Sequence, residues 1–209
     1  RASVPANGAH AGYRPGGGAA ILKSTISNNK VVNVDYPGKG GGVRSYAGAA
    51  DGLTMEIQSS TVISNQAFEG GGIYSSNLVA VESTTIAYNR VTGADGGGIS
   101  ISYAALSMLN STVSGNTCVI ASGVTSSCTG GGVFLDGQSN TPASDIKYST
   151  IVSNTATHGG GIYNQSSDLT KPTVSNTIVA LNTANPGSGI DCGPSAFAPF
   201  TSSDYNLIG

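Results

Sequence analysis

Apolar and polar positions recur along this chain in a fixed frame of nine residues that appears six times. An apolar residue opens the frame, Ser or Thr follows three positions later, an apolar anchor comes two positions after that, and Asn closes it three positions further on. The anchors are Ile26, Val62, Ile86, Val113, Ile151 and Val179. The hydroxyl residues are Ser24, Ser60, Thr84, Ser111, Ser149 and Thr177. The asparagines are Asn29, Asn65, Asn89, Asn116, Asn154 and Asn182.

Glycine triplets form a second repeat between these frames, and a small or branched apolar residue follows each triplet. The triplets begin at Gly16, Gly40, Gly70, Gly96, Gly130 and Gly159, and a degenerate "GSG" at Gly187 is followed by Ile190. The connections from frame to triplet vary in length, as in "TCVIASGVTSSCTG" after Asn116. A constant frame with connections of free length is typical of a solenoid, in which each coil contacts only its neighbours.

The repeat unit predicts strands rather than helices, because glycine triplets and β-branched Thr, Val and Ile disfavour helix. A strand, a turn and another strand recurring every 24 to 34 residues describe a parallel β-helix. We predict an all-β, single-stranded solenoid of about six to seven coils over residues 16–209, after an irregular N-terminal segment at 1–15. The first coil is expected to be incomplete.

Each constant position has an expected role in such a tube. The apolar residues would fill the interior as stacks about 4.8 Å apart. The Asn column would point inward as a hydrogen-bonded ladder at a tight turn, where Asn tolerates left-handed backbone. The Ser and Thr residues would form an outward hydroxyl stripe. The glycines would supply positive φ or let backbone pass where no side chain fits.

The "GGGI" and "STIxxN" repeats resemble right-handed parallel β-helix proteins of the bacterial surface and secreted repertoire. The likeness is strongest to polymorphic outer-membrane proteins and autotransporter passengers with GGxI repeats. The ending "GSGIDCGPSAFAPFTSSDYNLIG" is similar to the last coil of many such proteins. The resemblance implies a right-handed coil, an extracellular or cell-surface location and an adhesive or structural role. It supplies no shared catalytic residues.

The low charge of the chain limits the classes of molecule that it is expected to bind. Only 10% of residues are charged, the formal net charge is -2, and the nine Lys and Arg residues never cluster. A nucleic-acid-binding domain would carry a basic patch, so we expect no nucleic-acid partner.

Apolar runs all fall short of the ~18 residues of a membrane-spanning helix, so we expect no membrane span. The chain opens without Met or a visible signal peptide, so we expect a processed or trimmed product.

The cysteines bear on one inserted loop. Cys118 and Cys128 bracket the insertion after Asn116, where they are either a disulfide or two free buried thiols. We favour the disulfide, which would contribute about 2 to 3 kcal/mol by closing a short loop. Cys192 is left over. Its disulfide partner could lie beyond Gly209 or in another subunit, or it could have none.

Residues for catalysis are sparse. The eleven acids form no DxD or DD pair, and neither His10 nor His158 has a Cys, Asp or Glu at metal-ligand spacing. Glu56 and Glu82 could stack on adjacent coils with Lys147 on a later one, but a solvated strand face is favoured. We therefore assign no catalytic, cofactor-binding or metal-binding residue and no cofactor.

Two functional hypotheses follow. The first is a non-catalytic extracellular structural or adhesive β-helix, which self-associates head to tail or binds a cell-surface or glycan partner. The alternative is a carbohydrate-active enzyme or a glycan-binding module. An enzyme of that kind would need acids and a base on one face of three successive coils. A partial aromatic column at Tyr74, Phe134 and Tyr163 favours packing under a loop over a sugar platform.

Overall fold

The computed structural model describes residues 9–10, 18–31, 38–46, 54–120, 128–138, 141–166, 171–194 and 200–209. All regular structure in these ranges is β-strand, and every strand pairing is parallel. The strands form three seven-stranded sheets and one three-stranded sheet. The chain is therefore a parallel β-helix, which confirms the predicted fold class.

Sheet A holds the anchor residues. It comprises β3 (Thr25–Ser27), β6 (Thr61–Ile63), β10 (Thr85–Ala87), β14 (Thr112–Ser114), β18 (Thr150–Val152), β21 (Ile178–Ala180) and β24 (Leu207–Ile208). Sheet B follows the glycine triplets. It comprises β1 (Ala9–His10), β4 (Val43–Ser45), β8 (Ile73–Ser75), β12 (Ile99–Ser102), β16 (Val133–Asp136), β19 (Ile162–Asn164) and β22 (Cys192–Pro194).

Sheet C precedes sheet A in each coil. It comprises β2 (Ala19–Leu22), β5 (Thr54–Gln58), β9 (Leu78–Glu82), β13 (Leu106–Leu109), β17 (Asp145–Lys147), β20 (Thr173–Ser175) and β23 (Thr201–Ser203). The short sheet D lies between sheets A and B. It comprises β7 (Gln66–Ala67), β11 (Arg90–Val91) and β15 (Thr117–Cys118).

The chain passes from sheet B to C to A and then back to B once per coil. Five turns have a neighbouring coil on both sides, and the outermost strand of each long sheet belongs to a partial turn. The number of turns is therefore about five, slightly below the predicted six to seven. Of the predicted N-terminal segment 1–15, only Ala9–His10 is described, and it pairs in parallel with Val43 and Arg44.

The interior consists of aliphatic columns, one from each long sheet. The sheet A column contains Ile26, Val62, Ile86, Val113, Ile151 and Val179, each at most 2% exposed. Columns from sheets B and C face it and complete one continuous core. Burying each Val or Ile side chain contributes roughly 1.5 to 3 kcal/mol, so these columns are the main stabilising term.

The corners of each coil use left-handed backbone, but not at the residues we expected. The ladder asparagines are not left-handed; the residue before each one is, as at Asn28 (φ 58°), Ser64 (φ 57°) and Tyr88 (φ 54°). The first glycine of the five triplets from Gly40 to Gly159 is also left-handed, as at Gly96 (φ 73°). The Asn side chain thus points inward from ordinary backbone, directly after the corner.

The last coil corrects the alignment of the degenerate "GSG". Ile162 pairs with Cys192, and Gly189 has positive φ (65°) like the first glycine of those five triplets. The glycine frame is therefore shifted by two residues from the predicted one at Gly187. Ile190 is 49% exposed instead of lying in the core, and Cys192 packs against the core in its place.

Candidate functional surfaces

The six frame asparagines lie in one buried column, each at most 4% exposed. The Nδ2 of each of the first five donates to the Oδ1 of the Asn one coil later at 2.9 to 3.0 Å. The same Oδ1 also accepts the backbone N–H of the earlier Asn. From Asn65 onward, each Nδ2 makes a second bond to the anchor carbonyl of the preceding coil, as Asn89 does to Val62. Every interior rung is therefore fully hydrogen-bonded in a site without water access.

Asp191 ends this Asn ladder. Its Oδ1 accepts Nδ2 of Asn182 at 2.7 Å and the backbone N–H of Asn182 at 3.1 Å. It therefore takes the place that the next rung's amide oxygen would occupy. An ionised carboxylate is an acceptor only, so it satisfies the last donors and leaves no further donor to pair.

The Ser and Thr residues of the frame do not form an outward stripe, and this prediction is wrong. Ser60, Thr84, Ser111, Ser149 and Thr177 are all at most 5% exposed. Each hydroxyl oxygen accepts the backbone N–H of the equivalent residue one coil earlier at 3.1 to 3.3 Å. Each hydroxyl also donates to the carbonyl two residues earlier, as Thr84 does to Glu82. The hydroxyls turn inward because the left-handed corner leaves these backbone groups otherwise unpaired.

Sheet A consequently lies between two ladders, a hydroxyl ladder at one edge and the Asn ladder at the other. The frame admits no insertion from the hydroxyl residue to the Asn in any of six coils. The outward side chains alternate with the buried anchors and form two columns. The first column contains Thr25, Thr61, Thr85, Thr112, Thr150, Ile178 and Leu207. None of the described outward positions of sheet A is charged.

The outer side of sheet B carries most of the ionisable groups that contact one another. The residue before each triplet forms a column across the coils: Lys39, Glu69, Asp95, Thr129, His158 and Ser188. Lys39 Nζ lies 2.8 Å from Glu69 Oε2, and Thr129 donates to Asp95 Oδ1 from its N–H at 2.9 Å and its hydroxyl at 2.6 Å. Two acids and a lysine thus lie on one face of three successive coils, the kind of arrangement for which the enzyme hypothesis has to be tested.

In this sheet B cluster Lys39 and Glu69 form an ion pair, whereas Asp95 and Asp136 accept hydrogen bonds from the neutral side chains of Thr129 and Gln138. Burial lowers the pKa of Lys39, but its hydrogen bonds to Glu69 and to the Tyr74 hydroxyl outweigh burial and leave the pKa raised. Lys39 is therefore a cation at neutral pH and not a general base. Burial raises the pKa of Asp95 against the opposing bonds from Thr129, with the Glu69 charge adding to the rise. Burial and the Glu69 charge likewise raise the pKa of Asp136.

An aromatic column lies beside this cluster. Tyr74, Ser100, Phe134 and Tyr163 occupy equivalent outward positions on successive strands. The rings of Phe134 and Tyr163 are stacked, with centroids 6.2 Å apart, and Lys39 Nζ lies 4.4 Å above the Tyr74 ring. Tyr74 and Phe134 are each only 4% exposed, so their faces serve packing rather than contact with a sugar.

The cysteines fall into two environments. Cys118 and Cys128 form a disulfide with Cα atoms 5.5 Å apart, which closes the inserted loop against a small cluster with Val91 and Ala156. Cys192 is free, and burial, with the Asp191 charge adding, raises its pKa to about 12. Its thiol is therefore protonated and unreactive at neutral pH.

The sequence reasoning missed the column before the triplets, although a signal for it was present. The residue before the triplet is Lys39, Glu69, Asp95 or His158 in four of the repeats, so aligning the triplets predicts one column of ionisable side chains, whereas the absence of DxD and DD pairs along the chain says nothing about stacked coils. The proposed stack of Glu56 with Glu82 is wrong, because Glu56 pairs with Ala80 and Glu82 with Gln58.

Comparison with known proteins gives no relative from which a role could be transferred. No protein-family model, no curated protein and no solved structure matches this chain. Within the described ranges, no three His, Cys, Asp or Glu side chains are placed to bind a metal ion together. Those ranges also contain no helix long and apolar enough to cross a membrane.

Proposed function

We propose that this chain is a non-catalytic, extracellular β-helix that acts as a rigid structural and adhesive element on a cell surface. Its repeats resemble those of bacterial proteins of the polymorphic outer-membrane and autotransporter-passenger type, and this resemblance supports the proposal. The observation that supports this role most is the pair of continuous ladders. They fix both edges of sheet A from coil to coil, so the tube can hold an uninterrupted surface along its length.

Two further features agree with an extracellular scaffold. The disulfide at the inserted loop is of a kind that persists in oxidising compartments. On sheet B, the Lys39–Glu69 ion pair and the Thr129–Asp95 hydrogen bonds each link two neighbouring coils. Binding to a glycan or another surface partner is favoured over head-to-tail self-association, because the uninterrupted surface between the two ladders lies along the side of the tube.

The test combines adhesion with a search for turnover. Beads coated with the oxidised chain are scored for retention on polysaccharide-coated and bacterial-cell-coated surfaces, while the same polymers are assayed for new reducing ends and unsaturated uronides. We expect retention above albumin-coated beads and no product. Product formation above a heat-denatured control, or retention no better than albumin, would overturn the proposal.

A carbohydrate-active enzyme is the second candidate, and the sheet B cluster is what favours it. Glu69, Asp95 and Asp136 interact electrostatically, and two of them have raised pKa values, a common feature of general acids. Under this candidate the turnover assay gives product, and Glu69→Gln abolishes it while Glu56→Gln on sheet C does not. Absence of product with intact folding counts against it.

A further inference from the structure

The outer face of sheet A is the most regular surface of the described chain. Its seven strands run in register, and neither bordering corner contains an inserted residue in any of the six frames. The long insertions all fall elsewhere, between sheets D and B or between B and C. Within the described residues, no inserted segment interrupts this face, so a flat, extended partner could lie along it.

The chemistry of this face is hydroxyl-rich and uncharged. Its first column presents five successive threonines, at about 4.8 Å per coil: Thr25, Thr61, Thr85, Thr112 and Thr150. The second column is small or branched, with Ser27, Ile63, Ala87, Ser114, Val152 and Ala180. The threonine hydroxyls make no side-chain hydrogen bond to another described residue, unlike the buried hydroxyl ladder beside them. They are free to donate to and accept from a ligand.

Aromatic rings flank the threonines at both edges. Tyr88 follows β10 and is 66% exposed, and Tyr148 precedes β18 and is 61% exposed. A Cβ at Gly115 would lie 2.7 Å from the Tyr88 ring, so the absence of a side chain there makes room for the ring against the next coil. The ring of Tyr88 therefore packs against the next coil at Gly115, while much of it stays open to solvent.

We propose that the outer face of sheet A is the adhesive surface and binds a neutral, extended polysaccharide lying along the solenoid axis. This inference rests on the proposed adhesive function and names its partner. The absence of charge matches an uncharged polymer, since a charged one would lose solvation without gaining a counter-charge. The threonine hydroxyls supply repeated hydrogen-bonding groups, and the flanking tyrosines supply ring faces for sugar C–H groups.

The experiment measures depletion of the chain from solution by cellulose, chitin and insoluble β-glucan particles. A double variant, Thr85→Lys with Thr112→Lys, places two ammonium groups on the face, and Tyr88→Ala removes the aromatic ring. The matched control is Ser107→Lys, an exposed outward position of sheet C in the same coil as Thr112. Far-UV circular dichroism and melting temperatures establish that each variant folds.

We expect the wild-type chain to bind at least one polymer, the lysine pair to weaken binding at least tenfold, and Tyr88→Ala to weaken it several-fold. Ser107→Lys should bind within twofold of wild type. Adhesion that survives the sheet A variants would overturn this inference and leave the adhesive function standing. A dimer that the lysine pair dissociates, or inhibition of ice-crystal growth without polymer binding, would also overturn it. Release of sugar products would instead overturn the proposed function.

Discussion

Sheet A and sheet B of this β-helix differ in how far the length of their connections varies from coil to coil. Sheet A is bounded by hydrogen-bonded ladders at both edges and keeps one length through every coil, whereas sheet B is entered and left through connections of variable length. The ladders explain the difference, because an inserted residue beside Asn89 would break four bonds within a buried column. Beside sheet B the corner is made by backbone glycine, and the chain before it is free to lengthen. The coil therefore keeps a constant length where side-chain ladders border the sheet. The ionisable groups lie mainly at sheet B, where the connections vary in length.

The largest expected effect is at the centre of the Asn ladder. Asn89→Ala removes the bonds to Asn65, Asn116 and the Val62 carbonyl and leaves buried groups unpaired. We expect a loss of about 4 kcal/mol in the free energy of unfolding. Urea denaturation measures it, with the exposed Thr85→Ala as the control, for which we expect a change below about 0.5 kcal/mol. A loss under 1 kcal/mol for Asn89→Ala would contradict the claim that the Asn ladder stabilises the fold.

The next largest loss of stability is expected from a substitution in a glycine triplet. A Cβ at Gly98 would lie 2.6 Å from the Gly132 carbonyl oxygen and 3.0 Å from Asn116 Nδ2. Gly98→Ala should therefore cost about 3 kcal/mol, because neither the neighbouring coil nor the ladder can move away cheaply. Gly187→Ala is the comparison, since its Cβ meets nothing and only its positive φ (79°) is strained. We expect about 1 kcal/mol there, and equal costs for both variants would contradict close stacking.

The disulfide tests the loop side of the molecule. Replacing both Cys118 and Cys128 with Ala should lower the free energy of unfolding by about 2 to 3 kcal/mol, because the unfolded chain gains the freedom of an open loop. Reduction of the wild-type chain should produce a similar fall, and the double variant should not respond to reductant. A reductant-sensitive melting temperature in the double variant would point to another cause.

The smallest effect concerns pH and the sheet B cluster. The pKa of Asp95 is raised in the folded state, chiefly by burial, so the folded chain holds this proton at a higher pH than the unfolded chain does. Its contribution favours the folded state below the unfolded pKa and is lost as pH rises through the folded pKa. Asp95→Asn keeps an acceptor for Thr129, so its stability relative to wild type should rise with pH across that window. Denaturation at several pH values measures this, and the opposite slope would contradict it.

Much of the architecture was predictable because a gap-free repeat fixes which residues stack. The anchors could be assigned to the core, and the parallel solenoid followed from the spacing of the frames. The direction of the hydroxyl side chains was not predictable, because Ser and Thr suit both an exposed strand and a buried corner. Thr84 bonds inward and Thr85 points outward, although they are adjacent and identical.

The remaining errors also have physical causes. The last coil was misaligned because "GSG" resembles a triplet, whereas Asp191 stands where other coils have the third glycine and Cys192 where they have a branched aliphatic residue. The sheet B cluster was missed because Lys39, Glu69 and Asp95 lie 30 and 26 residues apart in the chain. Only stacking brings them together.

Hydrogen–deuterium exchange tests the central claim most directly, namely that paired ladders hold sheet A more firmly than the loop side is held. The amides of Asn65, Asn89 and Asn116 bond to side-chain oxygens in the ladder, whereas those of Thr92 and Ala94 bond to backbone oxygens in a loop before sheet B. We predict exchange at least tenfold slower at the three ladder amides. Equal rates, or faster exchange in the ladder, would contradict the account.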